Sequence, residues 1–169
     1  MKNIYLLIAC FCLSTFSSCS KDGVGTQVEI YLLKSFELVP GKCQVNTSTT
    51  VLEDQPFISN SDIKKYSRLQ HEFTLAPGTW QKFFHLKGRE VFAVTVNKKV
   101  IYYAVHMPIY LSSTCFESIT MRAFGGNDTD VKLTAALGYP GQGSGATVND
   151  ERNNNTLINA LRSQGKLRP

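Results

Sequence analysis

Two β-rich runs that meet at Asn97-Lys98 constrain the fold of this chain more than any other feature. They cover residues 90–97 and 98–106 and consist largely of valine, tyrosine, phenylalanine, isoleucine and alanine. Branched and aromatic side chains favour strands, and a two-residue connection favours a tight antiparallel hairpin. The predicted cross-strand pairs are Val96 with Lys99, Val94 with Ile101 and Phe92 with Tyr103.

The alternation of side chains gives this hairpin two different faces. The face predicted to meet the core carries Phe92, Val94, Val96, Ile101, Tyr103 and Val105. The other face includes Tyr102 and His106 and is only half polar. We therefore expect another part of the chain to cover some of that second face.

The remaining segments predict a sheet with a few helices. Further strands are expected at residues 27–34, 71–75, 117–124 and 130–137, and helices at residues 61–66, 79–87 and 149–161. Strands and helices do not alternate as in a parallel βαβ fold. The sequence thus predicts an α+β fold, with a mainly antiparallel sheet of about five strands and two or three helices packed on it.

The N-terminus has the pattern of an export signal. Lys2 precedes an apolar stretch from Ile4 to Phe16 that is too short to cross a bilayer as a helix. The small residues before Cys19 and the polar segment after it resemble the lipobox of bacterial lipoproteins. The resemblance implies cleavage before Cys19 and lipidation of that cysteine, and several acyl chains on one residue give stable anchoring. The predicted parts are a signal peptide at 1–18, a lipidated tether at 19–26 and one domain at 27–169.

Three other interpretations of this N-terminus are open: cleavage at Cys10, an ordinary secretory signal, and a buried N-terminal helix, which the Ser-Lys-Asp-Gly sequence after Cys19 disfavours. Leu7 to Cys10 matches the letters of a lipobox better, because Phe16 stands where leucine is usual before Cys19. Cleavage at Cys10, however, would leave a very short apolar core and an exposed apolar run in the product. The second alternative is an ordinary secretory signal in which Cys19 occurs by chance.

Lipidation at Cys19 would leave one pair of cysteines in the domain, Cys43 and Cys115. Export to an oxidising compartment favours a disulfide between them. Closing that loop would stabilise the fold by roughly 4 kcal/mol. The alternative is two buried free thiols. No CxxC spacing or nearby histidine predicts a metal site.

Charge and motifs exclude several classes of function. The net charge is +5, and its lysines and arginines are scattered rather than gathered in the basic stripe that nucleic-acid binding requires. The glycine-rich stretch 138–145 matches neither a phosphate-binding loop nor a nucleophile elbow. The sequence predicts no catalytic residue and no cofactor. A hydrolase whose site forms only in the fold remains an alternative, with His71, His106 and Cys115 as its candidates.

Aromatic residues favour a binding role for the domain. Tyrosine and tryptophan are enriched at recognition surfaces. The predicted binding face comprises Trp80, Tyr102, His106 and Tyr110. The alternative is that most of these aromatic side chains belong to the core.

Four stretches carry a resemblance to a family of small uncharacterised lipoproteins of Bacteroidota. They are Ser18–Asp22, Val28–Lys34, Gly88–Tyr102 and a C-terminal stretch that matches at Asp150–Asn153, Ile158–Leu161 and Gly165–Arg168. The resemblance spans most of the predicted mature chain and implies no particular activity. One hairpin is also similar to part of the periplasmic head of the SecD export factor, through Gly88, Ala93, Val94, Asn97 and residues 99–101, and it implies a shape rather than an export role.

Together these features predict a lipoprotein of the cell envelope that binds rather than catalyses. Its lipid would hold it on a membrane, the outer in preference to the inner. Its expected partner is an envelope protein or a glycan, and not a nucleic acid. An inhibitor or immunity-type lipoprotein is a further alternative to the hydrolase.

Overall fold

A computed structural model describes residues 25–127, 129–141 and 147–169 of the chain. The predicted signal peptide, Cys19 and most of the predicted tether lie outside the described residues. The domain predicted from residue 27 onward is described except for residue 128 and residues 142–146.

The described residues form one mixed sheet with two α-helices. Its strands lie in the order β2-β1-β5-β6-β7-β8-β4-β3-β9. The strands are β1 (Val28–Ser35), β2 (Val51–Leu52), β3 (Ile63–Ser67), β4 (Glu72–Leu75), β5 (Val91–Val96), β6 (Lys99–His106), β7 (Cys115–Phe124), β8 (Val131–Tyr139) and β9 (Leu167–Arg168). The helices are α1 (Trp80–Phe83) and α2 (Asn155–Ser163), and a 3-10 turn covers Thr47–Thr49.

The predicted fold class is therefore wrong. The described sheet has nine strands rather than about five, and it is mixed, because β6 pairs with β7 and β3 with β9 in parallel. The clearest error is β3, where a helix was predicted. A bulge between Ile63 and Lys65 turns Ile63 and Tyr66 to the same buried face although they are three positions apart. That spacing imitates the period of a helix.

Helix lengths also differ from the predictions. The helix expected over residues 79–87 is the single turn α1, and the one expected from residue 149 begins at Asn155. The side chain of Asn154 caps α2 by accepting a hydrogen bond from the Thr156 amide at 2.9 Å. Within the described residues, no helix is long and apolar enough to cross a bilayer.

The central hairpin is confirmed at its turn and wrong beyond it. Asn97 and Lys98 both have positive φ angles, and Val96 pairs with Lys99 as predicted. A bulge then shifts the register by one residue, so that Val94 pairs with Tyr102 and Phe92 with Ala104. Tyr103 and Val105 consequently lie on the face opposite to the predicted one.

Two apolar clusters cover the two faces of the sheet. The larger one includes Phe92 and Ala104, and α2 packs onto it through Leu157 and Leu161. The smaller one includes Val91 and Val105. Because Val91 and Val105 alternate along their strands with Phe92 and Ala104, the two clusters lie on opposite faces.

Irregular segments rather than helices cover the smaller cluster. Leu38, Val45 and Leu111 pack on it from the segments before and after the hairpin. Cys43 and Cys115, which belong to the same cluster, are joined by a disulfide with a Cα–Cα distance of 5.2 Å. The disulfide thus ties the first of these segments to β7.

We predict that replacing both Cys43 and Cys115 by alanine lowers the free energy of unfolding by roughly 4 kcal/mol, because the unfolded chain regains the entropy that the closed loop removes. Urea unfolding of the purified domain measures this change. A reducing agent should destabilise the wild-type domain and leave the double variant unaffected. Equal midpoints for the two proteins under oxidising conditions would contradict the prediction.

Candidate functional site

An apolar groove of about 280 Å³ lies where β6 ends. Its walls come from α1 and the turn after it, from the segment after β6, and from the end of β7. The lining residues are Trp80, Phe83, Phe84, Leu86, His106, Pro108, Ile109, Tyr110 and Ala123. Apolar walls with a few polar groups are typical of ligand sites.

Helix α1 supplies the aromatic wall of the groove. The Thr79 hydroxyl donates a hydrogen bond to the Ala76 carbonyl at 2.7 Å and so closes the turn before the helix. Phe83 points into the core, with its ring 5.2 Å from that of Phe57. Trp80 and Phe84 meet edge to face at 5.5 Å on the outer side. Phe83 thus anchors this single helical turn to the core, and the opposite side of the turn presents the rings of Trp80 and Phe84.

His106 is a buried polar residue in the lining of the groove, with only 4% of its surface exposed. Its ring meets that of Phe92 at 5.6 Å, and its Nδ1 lies 3.2 Å from the Lys87 carbonyl oxygen. A carbonyl only accepts hydrogen bonds, so Nδ1 carries the proton. Burial lowers the pKa of His106, although the Lys87 contact and the Glu90 charge oppose that shift. The ring is therefore neutral at pH 7, and Nε2 is a hydrogen-bond acceptor.

The outer rim of the groove is a turn at residues 108–111. The Leu111 amide donates to the Pro108 carbonyl at 3.0 Å, which leaves Ile109 and Tyr110 at its tip. Their exposed fractions are 72% and 73%, and Phe84 across the groove is also exposed. A group of exposed large apolar residues around a groove marks an interaction site more often than a single exposed residue does.

Three of the four residues in the predicted binding face come together in this groove. They are Trp80, His106 and Tyr110. Tyr102 lies elsewhere, in the larger core cluster with 5% of its surface exposed. Phe84 and Ile109 were missed, although an isoleucine between proline and tyrosine in a loop is a signal of exposed apolar surface.

Tyr102 lies instead near the ion pair between Arg152 and Asp150, whose carboxylate is exposed. Arg152 is buried and binds Asp150 through two nitrogens, at 2.8 and 2.7 Å. Burial raises the pKa of Tyr102 well above its ordinary value, so the hydroxyl remains protonated. In the described part of the chain, the Tyr102 hydroxyl has no hydrogen-bond partner. By contrast, Tyr66 donates to the Arg152 carbonyl at 2.6 Å. This cluster attaches the segment before α2 to the sheet.

A second cleft, of about 460 Å³, lies beside the disulfide. Lys42, Arg89 and Glu117 contribute charged groups of both signs to it. The Glu117 carboxylate already accepts hydrogen bonds from the backbone amides of Cys43 and Phe116, each at 3.3 Å. The cleft is larger than the groove, but its charged groups do not converge on one ligand chemistry. We therefore regard the groove as the candidate site.

The residues considered for a hydrolase have separate surroundings. Cys115 forms the disulfide with Cys43 and is therefore not a free thiol, and His106 lies in the groove. His71 follows β3, where burial and the charge of Arg152 lower its pKa. Among the described residues, no group of three histidine, cysteine or acidic side chains could hold a metal ion.

The groove and the start of the domain lie at opposite ends of the central strands. The Gln27 carbonyl accepts a hydrogen bond from the Asn97 amide at 2.8 Å, so the chain enters the domain beside the hairpin turn. Strand β6 leads from that turn to His106 over eight residues. With the usual rise per residue of a β-strand, the length of β6 places the groove about 23 Å from the turn.

We predict opposite effects for two tyrosine-to-phenylalanine substitutions. Tyr66→Phe leaves the buried Arg152 carbonyl without its donor and should lower the free energy of unfolding by about 1–3 kcal/mol. Tyr102→Phe removes a buried hydroxyl that has no partner in the described residues, and should leave stability unchanged or raise it. Urea unfolding of the two variants tests this pair. A loss in Tyr102→Phe equal to that in Tyr66→Phe would show that the Tyr102 hydroxyl is hydrogen-bonded.

Comparison with known proteins does not assign the chain to a family. It matches no family model, no curated protein and no solved structure. The resemblances to lipoproteins of Bacteroidota and to the SecD hairpin therefore stay predictions.

Proposed function

We propose that this protein is a lipoprotein of the bacterial cell envelope, anchored through Cys19, whose domain binds another envelope protein at the apolar groove. The observation that carries the binding role is the exposed apolar rim at Phe84, Ile109 and Tyr110. Burying one such side chain against a partner contributes about 1.5–3 kcal/mol, so three of them supply a substantial part of a specific contact.

The position of the groove supports this role. A tether that leads into the domain beside Asn97 would leave the groove about 23 Å away along the strands. A partner can then reach the groove while the anchor stays in the membrane. The outer membrane is our preferred location, as expected from the sequence.

The anchor has a direct chemical test. We predict that protein extracted from membranes lacks residues 1–18 and carries a diacylglycerol on Cys19, and that Cys19→Ala prevents the lipidation, because alanine has no thiol to carry the lipid. Intact-mass measurement of the two proteins decides the matter. An unlipidated mature chain would contradict the anchor and leave the groove to be considered in a soluble protein.

The binding role is tested by a photo-cross-linking residue placed at Ile109 in cells. We predict one discrete cross-linked product with a protein, since this side chain stands at the rim of the groove. The matched control is the same residue at Leu69, which is 80% exposed and lies outside the groove. Products that are identical at both positions, or absent at both, would contradict a binding role for the groove.

A further inference from the structure

The lining of the groove includes one buried polar side chain besides its apolar walls. His106 lies in its lining and is more than nine-tenths buried. With Nδ1 directed to the Lys87 carbonyl, the nitrogen that remains for a ligand is Nε2, which can only accept in the neutral ring. Among the described residues of the lining, no other side chain combines such burial with a hydrogen-bond acceptor. A ligand that brings a donor to this point therefore gains a bond in a nearly dry site, where hydrogen bonds count for more than in water.

The size and walls of the groove indicate which kind of ligand group would donate that hydrogen bond. A volume of about 280 Å³ is just below the usual range for small-molecule sites, and it suits one large side chain better than a cofactor. Trp80, Phe84 and Tyr110 provide ring edges and faces. Aromatic side chains pack on one another in offset or edge-to-face arrangements and are common anchors of protein interfaces.

Two observations favour a protein over the lipid surface as the occupant. The chain enters the domain at the end of the strands opposite the groove. Lys82, the basic residue of α1, is bound to the Asp62 carboxylate and the Phe57 carbonyl, both at 3.0 Å. It is therefore not free to attract anionic headgroups, and the described residues that line the groove include no lysine or arginine.

We propose that the groove holds a tyrosine side chain of a partner protein, whose hydroxyl donates a hydrogen bond to Nε2 of His106. The ring fills the space between Trp80 and Tyr110, and the hydroxyl reaches the buried end. Phenylalanine in the same place fills the walls but leaves Nε2 without a donor. This inference rests on the proposed function, because it identifies the contact through which the domain binds.

The single tryptophan of the chain makes the test specific to the groove. Trp80 is the only tryptophan, so its fluorescence reports on this site alone. The probes are a short acetylated peptide with a central tyrosine flanked by leucines, and the same peptide with phenylalanine. We expect the tyrosine peptide to bind the disulfide-bonded domain roughly two- to tenfold more tightly at pH 7.5, the range for one net hydrogen bond.

Two variants separate the groove from the hydrogen bond. Ile109→Ser should weaken both peptides, whereas Leu69→Ser should weaken neither. In His106→Leu, provided that thermal unfolding remains cooperative, the preference for tyrosine should disappear. Because the comparison of the two peptides on the wild-type domain needs no variant, the inference stays testable even if His106→Leu does not fold.

Several outcomes would overturn the inference. Equal affinity for the two peptides, tighter binding of phenylalanine, or no response to either peptide would each exclude the tyrosine contact. Vesicles of phosphatidylethanolamine and phosphatidylglycerol that shift Trp80 emission when neither peptide does would identify the bilayer as the occupant. A discrete cross-link at Ile109 together with equal peptide affinities would leave the proposed function standing and remove only this inference.

Discussion

The ring of Phe92 links the central sheet to the candidate site. It is fully buried and lies within 5.7 Å of Phe57, 6.5 Å of Phe83 and 5.6 Å of His106, measured between ring centroids. Phe83 holds α1, and α1 in turn presents Trp80 and Phe84. The shape of the groove therefore depends on an aromatic contact beneath it, because a one-turn helix has too few internal hydrogen bonds to be stable alone.

The two faces of the sheet are covered by different means, and this difference has consequences for function. Helix α2 packs on the larger cluster with a continuous apolar side. The smaller cluster is covered by irregular segments, one of which the Cys43–Cys115 disulfide ties to the sheet. The segment from Met107 to Leu111 contributes both to this cover and to the rim of the groove.

Local patterns predicted several strands well and failed where the chain departs from regular pairing. Strand β1 and the turn at Asn97-Lys98 follow from composition and turn chemistry. Strand β3 was mistaken for a helix because its bulge brings Ile63 and Tyr66 to one face. Strands β2 and β9 have two residues each, too few for any alternation to appear. Their existence depends on partners far away in the chain.

In the candidate site, too, side-chain chemistry was predictable from the sequence, whereas the pairing of the strands was not. Trp80, His106 and Tyr110 were predicted to share a binding face because their chemistry suits recognition, and that property belongs to the side chain itself. Tyr102 was assigned to the same face, yet it packs in the core. The bulge in the hairpin brings both Tyr102 and His106 to the face of Phe92, and of these two only His106, at the end of β6, lines the groove. One inserted residue exchanges the two faces of a strand, and no local pattern indicates where the insertion falls.

The sequence by itself determined that β1 and β4 to β8 extend and where the central hairpin turns. Those properties arise from backbone preferences and side-chain chemistry, which act over a few neighbouring residues. Only the tertiary structure decided which face each side chain occupies, how the edge strands pair, and that α1 meets the segment after β6 to form a groove. Those outcomes depend on contacts between residues distant in the chain, whose energies no local pattern encodes.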